Sequence, residues 1–453
     1  MNVLTHKRIR AFFTASLVGL LVSSCKQEVK EPVFEGSISQ EAMTYLTEEV
    51  ASKQAVELYS ALFGNGLREG EMPQVKDVRR VASSLRSAEG EDDHQGVLVV
   101  NFENNQGYVV LSEHVGNEPI IYACPKGYLD PGVPTDNPNL IPFLYNADAL
   151  LSYNAGWGEG VVTDLVDGNG NPVPRPPIDE SRLYRYEFGP WETTFQVGPL
   201  VQVEWDQGAP HNAKLTPING QLPPVGCVAT ATSQIMSYHR WPAYNWDHII
   251  AVSQQGYYAL IDDPYCKEVL SLLHKDLGKP ENLNISYSLG GSGALSENVP
   301  RTFRAYGYQC GELEEYDFDK IKSELYAHRP VYTRGKAKKH TTYTPKFLFW
   351  GGELEITYSG GHAWVIDGVR QIKRKVTTFL GTTGRVVDVC YQQKELVHCN
   401  MGWAPTNNGY YISKAFNLNN PPEMRSSVLR STTTEGEDAN FQFYHHIVTH
   451  IER

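Results

Sequence analysis

The spacing of apolar and polar residues divides the chain into segments of different character. Between residues 38 and 65 the apolar residues recur at helical spacing, which predicts a helix that ends near Gly64. Residues 96–114 read GVLVVNFENNQGYVVLSEH, two β-rich runs around a polar turn, and this pattern predicts a hairpin. The stretch PIIYACPKGYL at 119–129 continues the β character. Together these segments predict a small α+β unit.

The next part of the chain has the composition of a connector. Proline, glycine, asparagine and aspartate cluster in PGVPTDNPNLIP at 131–142 and in DGNGNPVPRPPIDES at 167–181. From about Val197 the apolar pattern becomes that of a larger domain. We therefore divide the chain into a leader at 1–25, an N-terminal unit at 26–135, a protease-accessible connector at 136–196 and a large domain at 197–453.

The leader has the pattern of an export signal. Three basic residues, Lys7, Arg8 and Arg10, precede AFFTASLVGLLV, an apolar run too short to span a bilayer as a helix. The following VSSC resembles the lipobox of bacterial lipoproteins, which implies that Cys25 carries lipid and becomes the mature N-terminus. An ordinary secretory peptide cut nearby is the alternative. Either reading predicts an exported protein, and the first limits membrane contact to an N-terminal lipid.

Composition narrows the function classes. The 453-residue chain carries a formal charge of −12, whereas a nucleic-acid-binding protein would show a basic face. Its 41% hydrophobic content suits globular domains with buried cores. The seven cysteines are too sparse for a disulfide framework and show no CxxC metal pairing. We therefore expect no nucleic-acid partner and no cysteine-based metal site.

One cysteine stands out by its position. The stretch VGCVATATSQIMSYHRWP at 225–242 predicts a helix that begins at Cys227, after two prolines, and ends at Trp241. Unpaired N–H groups and the helix dipole at such a start favour a thiolate, so we expect a lowered pKa for Cys227. The alternative is a buried core thiol, because free cysteine is among the most buried residue types.

A nucleophilic thiol needs a base, and YSGGHAWVIDG at 358–368 offers one. Two glycines precede His362, which starts a predicted strand, although a structural histidine is the alternative. His239 is on the same helix as the cysteine, roughly 18 Å away at 1.5 Å per residue, and cannot reach it. In HCNMGWAPTNNGYYIS at 398–413, the Asn400 carbonyl would hold the imidazole and Trp403 would cover it, unless the stretch is only a hairpin.

These stretches together resemble the streptopain family, papain-like cysteine peptidases of bacteria. WDQGAPHN at 205–212 is similar to the segment with the oxyanion-hole glutamine, and GGSGALSENVPRTFRAYGY at 290–308 to the substrate-side loop and the following helix. The resemblance covers about residues 197–453 and implies no metal or cofactor. It implies catalytic roles for Cys227, His362, Asn400, Gln207 and Trp403, and substrate contacts at Ser292, Gly293 and Gly361.

The N-terminal unit resembles the inhibitory prodomain of that family. The implied fold class is α+β: a papain-like two-lobed catalytic domain, with a helical lobe and an antiparallel β lobe, preceded by a small α+β prodomain. We expect an exported cysteine endopeptidase that acts on protein or peptide substrates and is made as a zymogen. Its own prodomain would be an intramolecular inhibitor. A cysteine amidase on cell-wall peptides and an inactive surface-binding lipoprotein are the alternatives.

The chain departs from the family pattern at three places. Met401 stands where the family has tryptophan, which shifts the task of orienting His362 towards Trp403. RQIKRKVTTFLGTTGRV at 370–386 predicts an inserted hairpin, and the insert at 336–357 predicts a surface hairpin or a rim of the substrate cleft. Near the C-terminus, FYHHIVTH at 443–450 predicts a strand, because its β-rich composition disfavours the helix that a metal pair of His446 and His450 would need.

Overall fold

A computed structural model describes most of the chain outside the leader and the connector. The described residues are 5–9, 46–64, 72–82, 96–112, 120–131, 165–173, 184–336, 338–345, 352–359, 361–380, 384–413 and 443–453. The predicted lipidation site Cys25 lies outside them. None of the helices in these ranges is long and apolar enough to cross a membrane.

Helices and antiparallel strands are both abundant. The helices are α1 Glu48–Phe63, α2 Cys227–His239, α3 Trp246–Ser253, α4 Tyr257–Asp262, α5 Pro264–Leu277, α6 Val299–Ala305 and α7 Phe318–Tyr326. The first eight strands are β1 Thr5–Ile9, β2 Val75–Ala82, β3 Gly96–Phe102, β4 Tyr108–Ser112, β5 Ile120–Cys124, β6 Leu165–Val166, β7 Tyr184–Phe188 and β8 Glu192–Val197. The others are β9 Glu314–Glu315, β10 Val331–Lys336, β11 Lys338–Pro345, β12 Gly352–Ser359, β13 His362–Leu380, β14 Arg385–Asn400, β15 Gly409–Ile412 and β16 Phe443–Val448.

The N-terminal unit is α1 packed on the antiparallel strands β2–β5. Alternate residues of β3 point to opposite faces, so that Leu98 and Val100 join the core beneath α1 while Val97 and Val99 join the core on the other face. The hairpin predicted at 96–114 is confirmed as β3 and β4. The predicted helix is confirmed from Glu48, where the Thr47 hydroxyl accepts a hydrogen bond from the first turn.

One sheet runs through both the N-terminal unit and the large domain. Its strand order is β2-β3-β4-β5-β15-β14-β13-β10-β16-β9, and β5 pairs with β15 through Tyr122 opposite Tyr411 and Ala123 opposite Tyr410. The rings of Tyr122 and Tyr411 stack with their centroids 4.1 Å apart. Main-chain hydrogen bonds and aromatic packing therefore join the two parts.

The large domain has a helical part that packs against the sheet. Helices α2, α3, α5 and α6 enclose a core around Trp205, and this core extends to Tyr332 on β10 and to Ala363 and Val365 on β13. Small residues on α2 permit a close backbone approach, since a Cβ on Gly402 would lie 3.0 Å from Thr230. The expected α+β class, with a helical lobe and an antiparallel β lobe, is confirmed.

The strands of the connector and the inserts surround the long β13–β14 hairpin. Strands β7 and β8 pair with β13, and β6 pairs with β14. The hairpin predicted at 370–386 is confirmed as the outer end of β13 and β14, and the one at 336–357 is confirmed as β11 and β12. Strand β1, within the predicted leader, pairs with β12. The predicted strand at 443–450 is confirmed as β16, while the domain boundaries at 25, 135 and 196 stay predictions.

Candidate active site

Cys227 is the first residue of α2, as the sequence predicts. Gly226 precedes the helix at a φ of +90°, and a Cβ there would lie 2.9 Å from the backbone oxygen of Ser292. Only glycine fits this left-handed conformation and this contact without strain. The thiol is partly buried. The sequence VGC therefore sets both the start of the helix and the approach of the 286–293 loop.

The thiol is neutral in this arrangement of the full chain. Burial raises the pKa of Cys227 above its usual value, while the N–H of Ala363 and the N–H of Val228 oppose that rise. The expected lowering of the pKa of Cys227 is wrong here, because the loss of water around the sulfur outweighs the hydrogen bonds at the helix start. The Ala363 contact nevertheless places the sulfur beside the first residues of β13.

His362 is the first residue of β13 and is 5% exposed. Its Nε2 lies 2.7 Å from the carbonyl oxygen of Met401. A carbonyl oxygen only accepts hydrogen bonds, so Nε2 carries the hydrogen and the lone pair of the neutral ring is on Nδ1. Burial lowers the pKa of His362 to about 3, although the Met401 carbonyl opposes this change. The ring is therefore uncharged at neutral pH, with Nδ1 able to accept a proton.

Trp403 covers one face of the imidazole. The two rings are 8° from parallel with their centroids 3.7 Å apart, which is a close stack. Trp364, two residues along β13, is nearly parallel to the same imidazole at 6.1 Å. The expectation that Trp403 would lie over His362 agrees with this geometry, although its role in orienting the ring stays a prediction.

The Asn400 side chain is engaged with α2 and with the start of the large domain. Its Oδ1 accepts a hydrogen bond from Gln234 Nε2 at 2.7 Å, and its Nδ2 donates to the Val203 carbonyl at 2.7 Å. The carbonyl group at His362 Nε2 belongs to the next residue, Met401, whereas the sequence pointed to the Asn400 side chain. Asn400 thus fixes the segment that presents the Met401 carbonyl.

Sequence reasoning did not identify Gln234 as part of the site. It lies on α2 seven residues after Cys227, which is two helical turns, so both side chains occupy the same face of the helix. That spacing could have placed Gln234 near the cysteine from the sequence alone. The Met401 carbonyl left no such signal, because a backbone group is independent of the side chain at its position.

The predicted oxyanion and substrate residues lie around the same helix start. The backbone oxygen of Gln207 accepts a hydrogen bond from Val225 at 2.9 Å, two residues before Cys227. Ser292 packs against Gly226, and Gly293 closes its loop by a β-bridge with Ser286. The structure therefore gathers these segments at one end of α2, and the functional role of each stays a prediction.

Strand β10 adds a charged group that the sequence did not reveal. Gly335 is opposite His362 in the sheet, and Lys336 follows it. A Cβ on Gly361 would lie 3.2 Å from Lys336 Cδ, so the lysine stem lies against the Gly361 backbone. The Lys336 ammonium is also among the groups that lower the pKa of Cys227. Its proximity depends on strand order, which no local pattern reports.

A chain of contacts leads from the N-terminal unit to the imidazole. The Tyr108 hydroxyl donates to Asn407 Oδ1 at 3.0 Å, and Cys124 Sγ lies 3.2 Å from the Asn408 carbonyl oxygen. Asn408 Oδ1 in turn accepts a hydrogen bond from the Met401 N–H at 2.8 Å. The carbonyl of Met401 then contacts His362 Nε2. Contacts of the N-terminal unit therefore reach the loop that positions the base.

Among the described residues, one group of three side chains has the spacing of a metal site: His248, Asp263 and Cys266. Asp263 Oδ1 accepts the hydrogen bond of the Cys266 N–H at 2.8 Å, which caps α5. Burial raises the pKa of Cys266 to about 12, so its sulfur is a protonated thiol in this structure. The other Asp263 oxygen lies 2.9 Å from His248 Nε2, so hydrogen bonds around a helix cap account for this grouping.

A cysteine at a helix start, beside a strand that begins with histidine and between a helical and a β lobe, defines the papain-like class of cysteine peptidases. Residues 205–244 and 243–411 match the peptidase C10 family. The resemblance to streptopains drawn from the motifs is thereby confirmed. The matched domain is that of a cysteine-type peptidase.

Relatives support the same assignment. Streptopain of Streptococcus pyogenes serotype M1 is 24% identical over 264 residues, which cover 48% of this chain and 54% of the relative. The thiol protease/hemagglutinin PrtT of Porphyromonas gingivalis is 24% identical over 315 residues, 59% of this chain and 29% of that protein. The chain thus spans about half the length of the streptopains it matches.

Solved structures with some likeness to this chain come from Prevotella intermedia. A prointerpain A fragment aligns over 83% of this chain and 99% of its own, with 17% identity and a TM-score of 0.45. Active wild-type interpain A cysteine protease aligns over 56% of this chain and 95% of its own, with 20% identity and a TM-score of 0.35.

Proposed function

We propose that this protein is a cysteine endopeptidase made as a zymogen. The observation that carries the proposal is the meeting of the Cys227 thiol with the start of β13. There the Nε2–H of His362 donates to a carbonyl, so the lone pair of the neutral ring is on Nδ1. A thiol and a basic imidazole nitrogen at adjoining chain segments are the two groups that acyl transfer through sulfur requires.

The proposed reaction begins with proton transfer. His362 Nδ1 accepts the proton of Cys227, and the thiolate attacks the peptide carbonyl carbon. The N–H of Cys227 and the side chain of Gln207 stabilise the oxyanion, and one such donor is typically worth about 3 kcal/mol in the transition state. His362 then gives its proton to the leaving amine, and water hydrolyses the thioester to free the carboxylate and the thiol.

The N-terminal unit is proposed to be the prodomain that keeps the peptidase latent. Support comes from the raised pKa of Cys227 and the lowered pKa of His362, which disfavour the reactive ion pair in the full chain. Support also comes from the contacts of Tyr108 and Cys124 with the 401–408 loop. Cleavage in the connector and departure of the unit would let water and substrate into the site.

The decisive experiment compares the wild type with Cys227→Ala by mass spectrometry. We expect the wild-type protein to cleave itself within 136–196 and to hydrolyse casein, and the variant to do neither. Cys310→Ala is the matched control, because Cys310 is another partly buried thiol of the large domain. Self-cleavage of purified Cys227→Ala at the wild-type rate would refute the proposal.

The same spectra test the proposed export. From the leader sequence we propose that the chain leaves the cytoplasm and is anchored by a lipid on Cys25. Protein purified from bacterial membranes should then begin at Cys25 with a diacylglyceryl mass on that residue. A mature N-terminus elsewhere, without added mass, would contradict the anchor and leave the peptidase proposal intact.

A further inference from the structure

The charges beside the nucleophile are unbalanced. Arg334 on β10 is 5% exposed as a residue and forms an ion pair with Glu297 at 3.0 Å, so these two charges offset each other. Within the described ranges, no carboxylate forms an ion pair with Lys336, two residues further along the strand. Arg334, Glu297 and Lys336 together carry one net positive charge, in a chain whose net charge is −12.

The position of Lys336 is fixed by the sheet. Gly335 is opposite His362, and the Lys336 stem lies against Gly361, so the lysine is next to the strand start that meets the thiol. Burial and the nearby Arg334 guanidinium lower the pKa of Lys336, while Glu297 and Cys227 oppose that change. The ammonium is therefore partly desolvated and close enough to the sulfur for each to affect the charge of the other.

We propose that Lys336 is a specificity-determining residue of this site, whose ammonium attracts substrates with a carboxylate side chain near the scissile bond. This inference rests on the proposed peptidase function. A partly buried cation attracts an opposite charge more strongly than an exposed one, because water screens it less. An acidic side chain would supply the missing counter-charge, and a basic one would be repelled. The preferred substrates are thus peptides with glutamate or aspartate close to the cleaved bond.

The test uses the self-processed protein and pairs of internally quenched peptides. Each pair differs only in glutamate against glutamine at one of the four positions flanking the cleaved bond. At one position we expect kcat/KM to favour glutamate about five-fold, which corresponds to roughly 1 kcal/mol. Raising the salt from about 0.05 M to about 0.5 M should shrink that ratio, because ions screen the attraction.

Variants separate a charge effect from a packing effect. Lys336→Met keeps the length of the side chain and should bring the glutamate-to-glutamine ratio to about one, and Lys336→Glu should invert it. Lys267→Met is the matched control, because Lys267 is exposed on α5, and it should keep the wild-type ratio.

The outcomes distinguish the two proposals. A wild-type ratio of one at every position overturns the role of Lys336, and so does a Lys336→Met variant that loses rate equally on both peptides of the pair. Failure of the proposed function itself has another signature: no peptide is cleaved, or Cys227→Ala cleaves them as fast as the wild type does.

Discussion

The imidazole of His362 is defined by two neighbours from one short loop. The Met401 carbonyl sets which nitrogen carries the hydrogen, and the Trp403 ring shields one face from water. Asn400 holds that loop to Gln234 on α2. The surroundings of the base are thus set by groups that lie within four consecutive residues, 400–403.

Replacing Trp403 tests this shielding. Trp403→Ala exposes the stacked face, so the pKa of His362 should rise from about 3 towards the usual value of about 6.5. NMR titration of the ring protons in a Cys227→Ala background measures it directly, and kcat/KM in the active background should fall at least about ten-fold. Trp403→Phe keeps an aromatic face and should change both quantities less. An unchanged pKa of His362 in Trp403→Ala would show that the stack does not control the base.

Side-chain identity explains which site residues the sequence could predict. Cys227, His362 and Trp403 are predictable as candidates because their chemistry and their flanking glycines or prolines are visible locally, and the structure brings their segments together. The Met401 carbonyl was missed because backbone groups leave no trace in the sequence. Lys336 was missed because it approaches the thiol only through the pairing of β10 with β13.

Strands β5 and β15 join the N-terminal unit to the large domain. Their pairing brings Tyr108 to Asn407 and stacks Tyr122 on Tyr411. The individual strands were predictable from β-rich runs, but their order was not, since nothing local in β5 specifies β15 as its neighbour. Long-range pairing is decided by the whole set of apolar faces that must be buried together.

Removing one hydroxyl probes this junction. Tyr108→Phe leaves Asn407 Oδ1 buried without its donor, which costs about 1–2 kcal/mol and should shift the docking equilibrium about ten-fold. The lag before casein hydrolysis should shorten accordingly. Tyr128→Phe is the control, because the Tyr128 hydroxyl donates to Asp77 within the N-terminal unit. Equal lags for the wild type and Tyr108→Phe would argue against control of latency by this contact.

Among the described residues of the large domain, His211, His274 and His362 are buried and have a lowered pKa. Burial lowers the pKa of His274 to about 4 and that of His211 well below its usual range. Burial also lowers the pKa of His362. In the unfolded chain all three would take up protons near pH 6.5. The contribution of these neutral histidines to the free energy of unfolding is therefore fully present above about pH 6.5. It is lost as the pH falls towards their pKa values in the folded state.

This linkage predicts acid sensitivity. In a Cys227→Ala background, urea unfolding should give a free energy that falls between pH 6.5 and pH 4, with His274 alone contributing about 3 kcal/mol over that range. His274→Gln should flatten the slope by about 1.4 kcal/mol per pH unit. His328→Asn, at an exposed position, should keep the wild-type slope. A slope that His274→Gln leaves unchanged would mean that this ring is not the group that titrates.

The pairing of β5 with β15 also separates cleavage of the connector from departure of the N-terminal unit. Breaking a peptide bond in the connector leaves every main-chain hydrogen bond between β5 and β15 intact, so the cleaved N-terminal unit stays bound to the large domain. The cleaved protein would give two bands on a denaturing gel and a single peak in size-exclusion chromatography. Activation would then require dissociation of the N-terminal unit, and dilution, which prevents that unit from rebinding, would raise the active fraction more than further cleavage would.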